Sequence, residues 1–220
     1  MSPARALHFN LHEHMAKTFL TLLPASELRH LPGAITAALL RRLTPTGLET
    51  RPWWSLGMRR RIESILRPDM RVLEFGAGPS TVWLAERVDF VVSVERDPAW
   101  AAYARWECAR RGLANLHMLV RDAAKYADCS DFADGAFDLA VIAGSELGEG
   151  AAASCVGQAW PKVKPGGWIY LADADADGAG PGSAEAFLRS VCADGDVIEH
   201  TGLVIGALAA RRGLLCRVPT

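Results

Sequence analysis

Acidic residues and a glycine turn stand where three short apolar runs of this sequence end. Glu74 lies at the end of the first run and is followed by a Gly-x-Gly turn at Gly76–Gly78. Glu95 and Asp122 close the next two runs. The carboxyl ends of parallel strands meet at one edge of an open α/β sheet, where such sheets bind ligands. The pattern therefore predicts a pocket with three carboxylates, suited to hydroxyl, amino and cationic groups.

Each acid has a predicted partner. Glu74 suits a cationic amino group, and Glu95 suits two ribose hydroxyls because a carboxylate can accept two hydrogen bonds at once. Asp122 can accept a hydrogen bond from an adenine amino group. Internal roles stay open as alternatives. Glu74 could bond amides of its own turn, Glu95 could be an exposed strand end, and Asp122 could cap a helix that starts at the next residue.

A Gly-x-Gly turn after a strand also occurs in sites for NAD and FAD. Those sites have a third glycine, which lets the helix pack closely on the strand while the helix N-terminus faces a pyrophosphate. In this sequence the third place holds Thr81, next to Ser80 at the predicted start of a helix. The pattern therefore favours an adenosyl ligand without a phosphate.

Strands and helices alternate from residue 71 onward, which predicts a parallel sheet covered on both faces. The predicted strands are Arg71 to Phe75, Phe90 to Glu95, Leu116 to Val120, Phe137 to Ile142, Trp168 to Ala172, Val197 to His200 and Leu214 to Val218. Predicted helices lie at Leu56 to Leu66, Ser80 to Val88, Pro98 to Gly112, around Ser154 to Trp160, and at 184–193. Asp97 is expected to cap the third helix. The last two strands are expected to pair antiparallel at a sheet edge.

The front of the chain has a different pattern. Residues 1–50 show helical spacing of apolar residues broken by prolines, without a strand pattern. They are predicted to form a helical cap on the substrate side of a core made by residues 51–220. The whole chain of 220 residues, half of them hydrophobic, is long enough for one sizeable core. Five cysteines without a Cys-x-x-Cys pair indicate free thiols.

Charge is unevenly distributed, although the net charge is only -1. Residues 1–71 carry eleven Lys or Arg against five acids, and residues 72–220 carry thirteen against twenty. The basic run Arg59–Arg61 lacks the interleaved aromatic residues of a single-strand binder, so it is expected to face solvent. Neither a membrane-spanning apolar segment nor a signal-peptide pattern is found. We expect a cytoplasmic protein without nucleic-acid or membrane partners.

Five segments in order resemble the class I S-adenosylmethionine-dependent methyltransferases over about residues 51–220. They are Val72 to Thr81, Val91 to Glu95, Arg121 to Ala123, Phe137 to Ile142 and Lys164 to Gly167. The first segment is similar to that of small bacterial members with a Gly-x-Ser-Thr first loop. The resemblance implies a doubly wound, Rossmann-like α/β fold with a seven-stranded sheet whose last strand is antiparallel, and S-adenosyl-L-methionine as cofactor. The candidate cofactor-binding residues are Glu74, Gly76, Ala77, Gly78, Ser80, Thr81, Glu95, Arg96, Asp122 and Ala123.

Methyl transfer to a hydroxyl needs an aligned acceptor and a group that takes the proton. Metal-dependent catechol-type methyltransferases place an acid after the fourth strand and an Asp-Asn pair after the fifth. Here Ala143 follows the fourth strand and Ala174 stands in place of the asparagine, so no metal is expected. Asp173 is the candidate catalytic base, with Glu146, Asp175 or a histidine as alternatives.

The acceptor side of the site is less defined. Trp53 and Trp54 stand between cap and core, where they could line an aromatic or apolar acceptor or serve packing. We expect metal-independent O-methylation of a small molecule. Two alternatives stay open, an aminopropyltransferase-like enzyme, against which Ala143 argues, and a non-catalytic methyltransferase-like scaffold or partner subunit. A homodimer stays open as well.

Overall fold

The computed structural model describes residues 51–143, 150–174, 180–204 and 209–220, together with Pro32. The predicted helical cap of residues 1–50 lies outside the described residues apart from Pro32. The alternative bases Glu146 and Asp175 lie outside them as well. The described part is a doubly wound α/β domain built on a single sheet.

Seven strands and five α-helices are present in the described residues. The strands are β1 (Arg71–Phe75), β2 (Phe90–Glu95), β3 (Leu116–Val120), β4 (Phe137–Ile142), β5 (Val163–Leu171), β6 (Val197–Val204) and β7 (Ala209–Arg217). The helices are α1 (Leu56–Ile65), α2 (Pro79–Ala85), α3 (Pro98–Arg110), α4 (Ala151–Ala159) and α5 (Ala184–Val191). The first four strands have the predicted bounds, because each is a short apolar run between turn residues.

The sheet has the strand order β3-β2-β1-β4-β5-β7-β6. The first five strands pair parallel, and β7 runs antiparallel to both β5 and β6. This confirms the predicted seven-stranded sheet with its last strand antiparallel. The chain order reverses between β1 and β4, so their carboxyl ends flank the switch point at which open α/β sheets bind ligands.

The fifth strand differs from the prediction. The sequence predicts that Lys164–Gly167 forms a turn before the strand, whereas β5 already begins at Val163 and contains this segment. The pairing with β4 moves from Phe137 opposite Val163 to Leu139 opposite Trp168, so the extra residues form a bulge. The first glycine of the segment has a φ of 74°, a conformation that glycine adopts readily.

Two large apolar clusters, one on each face of the sheet, form most of the core. On one face Leu73 and Phe75 pack with buried residues of α4 and α5. On the other face Val72 packs with buried residues of α1, α2 and α3, such as Leu84. Successive residues of a strand point to opposite faces, so Glu74 shares the face of Val72. A carboxylate in this apolar layer needs hydrogen-bond partners.

The N-terminus of α3 follows the predicted pattern. The N–H of Ala99 donates to Oδ1 of Asp97 at 2.8 Å, and Pro98 occupies the first turn. After the helix ends, Gly112 has a φ of 70°. Asp97 and Pro98 thus fix the residue at which α3 begins after β2, and Gly112 allows the chain to turn after the helix.

All five cysteines are free and buried, which confirms the predicted free thiols. Burial raises the pKa of the Cys108 thiol to about 11, so this side chain behaves as a small apolar residue. Among the helices of the described residues, none has both the length and the apolar character that crossing a bilayer requires.

Candidate cofactor site

Glu74 of β1 is completely buried, with 0% of its surface exposed. Ser80 and Thr81, in the first turn of α2, donate hydroxyl hydrogen bonds to Oε1 and Oε2 of Glu74 at 2.5 Å each. Ser93 of β2 donates a third hydrogen bond to Oε2 at 2.7 Å. The carboxylate of Glu74 thus connects β1, β2 and the beginning of α2.

These contacts give Glu74 an internal role, in line with the alternative considered from the sequence, although its partners are hydroxyls and not backbone amides. Because no part of Glu74 is exposed, the expected contact with a cationic amino group is not available in this geometry. Burial raises the pKa of Glu74 to about 7, and the hydrogen bonds from Ser80, Thr81 and Ser93 oppose this rise.

Replacing Glu74 by glutamine should change the pH dependence of stability. The pKa of Glu74 rises from 4.5 to about 7 on folding, so between these values the folded state holds a proton that the unfolded state has released. The stabilising contribution of Glu74 is complete below about pH 4.5 and is lost as the pH rises through 7. We expect the free energy of unfolding of the wild type, minus that of Glu74→Gln, to fall between pH 6 and pH 8 in urea titrations.

Glu63→Gln, a change at an exposed acid of α1, is the control for this measurement. Its difference from the wild type should stay constant between pH 6 and pH 8. A constant difference for Glu74→Gln as well would contradict the raised pKa of the buried carboxyl group.

Glu95, at the end of β2, is 8% exposed and accepts three backbone hydrogen bonds. The N–H groups of Arg96 and Asp97 donate to Oε1 at 2.6 and 2.7 Å, and the N–H of Ala77 donates to Oε2 at 2.6 Å. Burial raises the pKa of Glu95, against the effect of these bonds. Each carboxylate oxygen can accept about two hydrogen bonds. Oε2 of Glu95 is therefore the atom that can still accept one from a ligand hydroxyl.

The glycine turn has its three amide N–H groups bonded within the protein. Gly76 donates to a main-chain carbonyl of β2 at 2.8 Å, and Ala77 donates to the Glu95 carboxylate. Gly78 donates to Oγ1 of Thr81 at 2.9 Å. A phosphate-binding loop instead presents free amides to the anion. This turn, with a carboxylate at its side, disfavours a pyrophosphate, as expected from the sequence.

Asp122 and Ala123 follow β3 and are exposed. The N–H of Lys125 donates to Oδ1 of Asp122 at 3.1 Å, so this carboxylate caps a turn, whereas the alternative considered from the sequence was the cap of a helix. Its exposed side chain can also reach a ligand, and contact with an adenine stays a prediction. The three acids of the sequence pattern lie at the carboxyl ends of three adjacent strands, β1, β2 and β3.

An aromatic cluster that the sequence did not reveal lies beside the glycine turn. Trp100, in the first turn of α3, packs edge-on against Trp53 with ring centroids 5.6 Å apart, and against Tyr103 at 5.7 Å. A Cβ atom on Gly78 would lie 3.7 Å from the ring of Trp100. Trp53 and Trp100 are partly exposed. They therefore present apolar surface next to the turn. In the sequence, the sign of this cluster was the position of Trp100, which follows Glu95 closely, in the first turn of the helix after β2.

Trp54 differs from the neighbouring Trp53. Its ring packs edge-on against Trp83 at 5.7 Å and against Tyr170 of β5 at 4.9 Å. The side chain of Trp54 is 3% exposed. Of the two roles considered for Trp54, lining an acceptor or packing, the structure favours packing.

Asp173 follows β5 at the same edge of the sheet as the three acids. Its Oδ1 lies 2.6 Å from Nη1 of Arg211, which stands near the start of β7. Both side chains are partly buried. The ion pair holds the Asp173 carboxylate in a defined orientation. The sequence indicated Asp173 but not Arg211, because the two become neighbours only through the antiparallel pairing of β5 with β7.

The chain is similar to known proteins mainly through its fold. A family model described as a methyltransferase domain matches residues 66–207. A candidate O-methyltransferase from Klebsiella pneumoniae is 20% identical over 100% of this chain and 91% of that chain, with a TM-score of 0.55. Precorrin-6y C5,15-methyltransferase from Geobacter metallireducens is 16% identical over 70% of this chain and 82% of that chain, with a TM-score of 0.54. No curated protein matches this chain.

A third solved structure, of a candidate methyltransferase from Streptococcus mutans in complex with SAH, is 11% identical over 70% of this chain and 92% of that chain, with a TM-score of 0.52. The chain spans about half, 48%, of the YcgJ protein from Bacillus subtilis. The matched family model covers more than half of the chain and includes the glycine turn and all three strand-end acids. The chain therefore belongs to the class I S-adenosylmethionine-dependent methyltransferase family.

Proposed function

We propose that this protein transfers the methyl group of S-adenosyl-L-methionine to a hydroxyl oxygen of a small molecule. The glycine turn supports the proposal most directly. Its amides are bonded internally and Glu95 lies beside it, so it repels a phosphate and suits an adenosine with a positively charged sulfonium. The neighbour from Streptococcus mutans was crystallised with SAH, the demethylated form of this cofactor, which adds support.

The proposed cofactor contacts follow from the site. Oε2 of Glu95 would accept a hydrogen bond from a ribose hydroxyl, and Asp122 would accept one from the adenine amino group. The backbone of Gly76–Gly78 would lie against the amino-acid part. When bound, S-adenosylmethionine supplies a methyl carbon that is open to in-line attack.

The acceptor would lie against the partly exposed rings of Trp53 and Trp100. Asp173 would take the proton of the attacking hydroxyl, while Arg211 holds the orientation of its carboxylate. In this reaction the acceptor oxygen would bond to the methyl carbon as the carbon–sulfur bond breaks, SAH would leave, and Asp173 would hold the released proton. The oxygen acceptor and the absence of a metal are both parts of the proposal. Ala143 and Ala174, at the places where metal-dependent members have ligands, support the absence of a metal.

Two measurements test this function. Calorimetric titration with S-adenosylmethionine and SAH should give binding heat for both ligands. Isotopically labelled S-adenosylmethionine, incubated with phenols, alcohols and amines, should label a hydroxyl compound, with the same rate in the presence of EDTA. A label on amines only would overturn the oxygen acceptor, and a loss of rate with EDTA would overturn the metal-free reaction.

The same measurements separate the two alternatives. A preference for decarboxylated S-adenosylmethionine, with transfer of its aminopropyl group, would identify an aminopropyltransferase. Cofactor binding without turnover of any acceptor would favour a non-catalytic scaffold. Absence of binding heat with both ligands would overturn the enzyme and its cofactor together.

Replacing Asp173 by asparagine should lower kcat for a hydroxyl acceptor by about a hundredfold or more, because the group that takes the proton is lost. The affinity for SAH should not change, since Asp173 is not among the proposed cofactor contacts. Asp131→Asn, at an exposed acid paired with Arg121, is the matched control. Wild-type kcat in Asp173→Asn would show that another group takes the proton.

A further inference from the structure

The hydrogen bonds around Glu74 form a path from a buried carboxylate to the cofactor turn. The N–H of Gly78 donates to Oγ1 of Thr81, and the same hydroxyl donates to Oε2 of Glu74. Ser80 donates to the other carboxylate oxygen from the first turn of α2. All three side-chain bonds to Glu74 are 2.5 to 2.7 Å long, as expected for hydroxyls that donate to an ionised acceptor.

We propose that Glu74 is a positioning residue for cofactor binding, which holds the glycine turn in its binding shape through the hydroxyls of Ser80 and Thr81 and, through Thr81, the amide of Gly78. This inference rests on the proposed function. It gives Glu74 a task that needs no exposed surface, and it explains the Gly-x-Ser-Thr pattern. The two hydroxyls that follow the turn donate to the buried carboxylate, so neither is free to donate to a ligand.

The ionised form of Glu74 is the form that acts in this way. A carboxylate can accept all three hydroxyl bonds, whereas a protonated carboxyl group must use one oxygen as a donor and accepts more weakly. Burial raises the pKa of Glu74 to about 7, so its ionisation changes within the range in which the enzyme can be assayed. Cofactor affinity should therefore increase as the pH rises from 6 to 8.

Other ionisable groups face Glu74 from the elements around it. Among the described residues, these are Glu95 at the end of β2, Cys108 of α3 and Tyr126 after β3. Burial raises the pKa of both Cys108 and Tyr126 above the assay range, so neither changes charge there. Glu95 also has a raised pKa and contributes its own pH dependence. The pH dependence of SAH binding that comes from Glu95 should remain when Glu74 is replaced.

SAH binding by purified full-length protein, measured calorimetrically at pH 6, 7 and 8, tests the inference. Wild type should bind more tightly at pH 8 than at pH 6. In Glu74→Gln the change centred near pH 7 should disappear, and the affinity at pH 8 should fall by about tenfold, the effect of one charge-assisted hydrogen bond. Thr81→Val should lose about as much affinity for SAH as Glu74→Gln. Thr81→Ser, which keeps the hydroxyl, should bind SAH like the wild type.

Ser93→Ala is the matched control, because Ser93 bonds Glu74 from β2 without touching the turn. It should retain nearly all of the affinity. Combining Glu74→Gln with Thr81→Val should cost no more than the larger single effect, since both act on one path. If Glu74→Gln does not fold, as judged by circular dichroism, the SAH affinities of Thr81→Val and Thr81→Ser test the positioning role instead.

Three results would overturn the positioning role. They are wild-type affinity in Thr81→Val, equal losses in Thr81→Val and Thr81→Ser, and an unchanged pH profile in a folded Glu74→Gln. Failure of the wild type to bind SAH would instead overturn the proposed function. The two failures are therefore distinguishable.

Discussion

Replacing Glu95 by alanine is expected to weaken the binding of S-adenosylmethionine and SAH by about 1–3 kcal/mol, which is about fivefold to more than a hundredfold. The change removes the proposed acceptor of the ribose hydroxyl. It also leaves the amides of Ala77, Arg96 and Asp97 without their carboxylate partner, so the glycine turn loses the link to β2 that the Glu95 side chain provides and keeps only the main-chain bond from Gly76. Calorimetric titration at pH 8 measures the loss directly.

Glu95→Gln separates the contributions of the two carboxylate oxygens of Glu95 to cofactor affinity. The glutamine oxygen can still accept from Arg96 and Asp97, whereas its amide nitrogen cannot accept from Ala77. We expect an affinity between those of the wild type and Glu95→Ala. Asp194→Asn, at an acid between α5 and β6, controls for a general loss of negative charge. An unchanged affinity in Glu95→Ala would show that the ribose assignment is wrong.

Replacing Phe75 by alanine is expected to lower the free energy of unfolding by about 3–5 kcal/mol. Phe75 has no exposed surface, packs in the core cluster of α4 and α5, and lies 5.8 Å from the ring of Tyr126. Its removal leaves a cavity that the surrounding sheet cannot close. Because Phe75 directly precedes Gly76, SAH binding should weaken as well. Urea unfolding followed by circular dichroism measures the stability change.

Val120→Ala is the control for Phe75→Ala, because Val120 is an exposed apolar residue of edge strand β3 whose truncation creates no cavity. Its effect on unfolding should stay within about 0.5 kcal/mol. A loss below about 1 kcal/mol in Phe75→Ala would mean that the core around β1 is less tightly packed than the structure indicates.

The first four strands, β1 to β4, could be predicted from local sequence. Each is a short, mostly apolar run between turn residues, and most side chains of β1, β2 and β4 are buried on both faces of the sheet. The two strands at the other end of the sheet order, β7 and β6, were harder to predict. β6 continues past its predicted end and β7 begins before its predicted start, because the two strands pair with each other over polar as well as apolar residues, such as Thr201 opposite Arg212. Pairing between distant segments, and not local composition, sets their length.

The candidate site shows the same division. The edge at which Glu74, Glu95 and Asp122 lie could be predicted, because the ends of parallel strands share one edge. Their partners could not. Ser93, a lone hydroxyl in the apolar run of β2, was the one visible sign that a polar group is buried nearby. Arg211 carried no sign at all, since only the pairing of β7 with β5 brings it to Asp173.

By itself, the sequence determined that the first strands form a parallel sheet and that acids lie at the edge where these strands end. It also determined that the glycine turn at this edge is unsuited to phosphate. Only the tertiary structure decided which acid is available to a ligand. Strand periodicity assigns Glu74 to a face of the sheet, but the elements packed over that face decide whether its oxygens meet protein or solvent. Hydroxyls from α2 and β2 enclose Glu74, whereas Glu95 keeps an acceptor position free and Asp122 stays exposed.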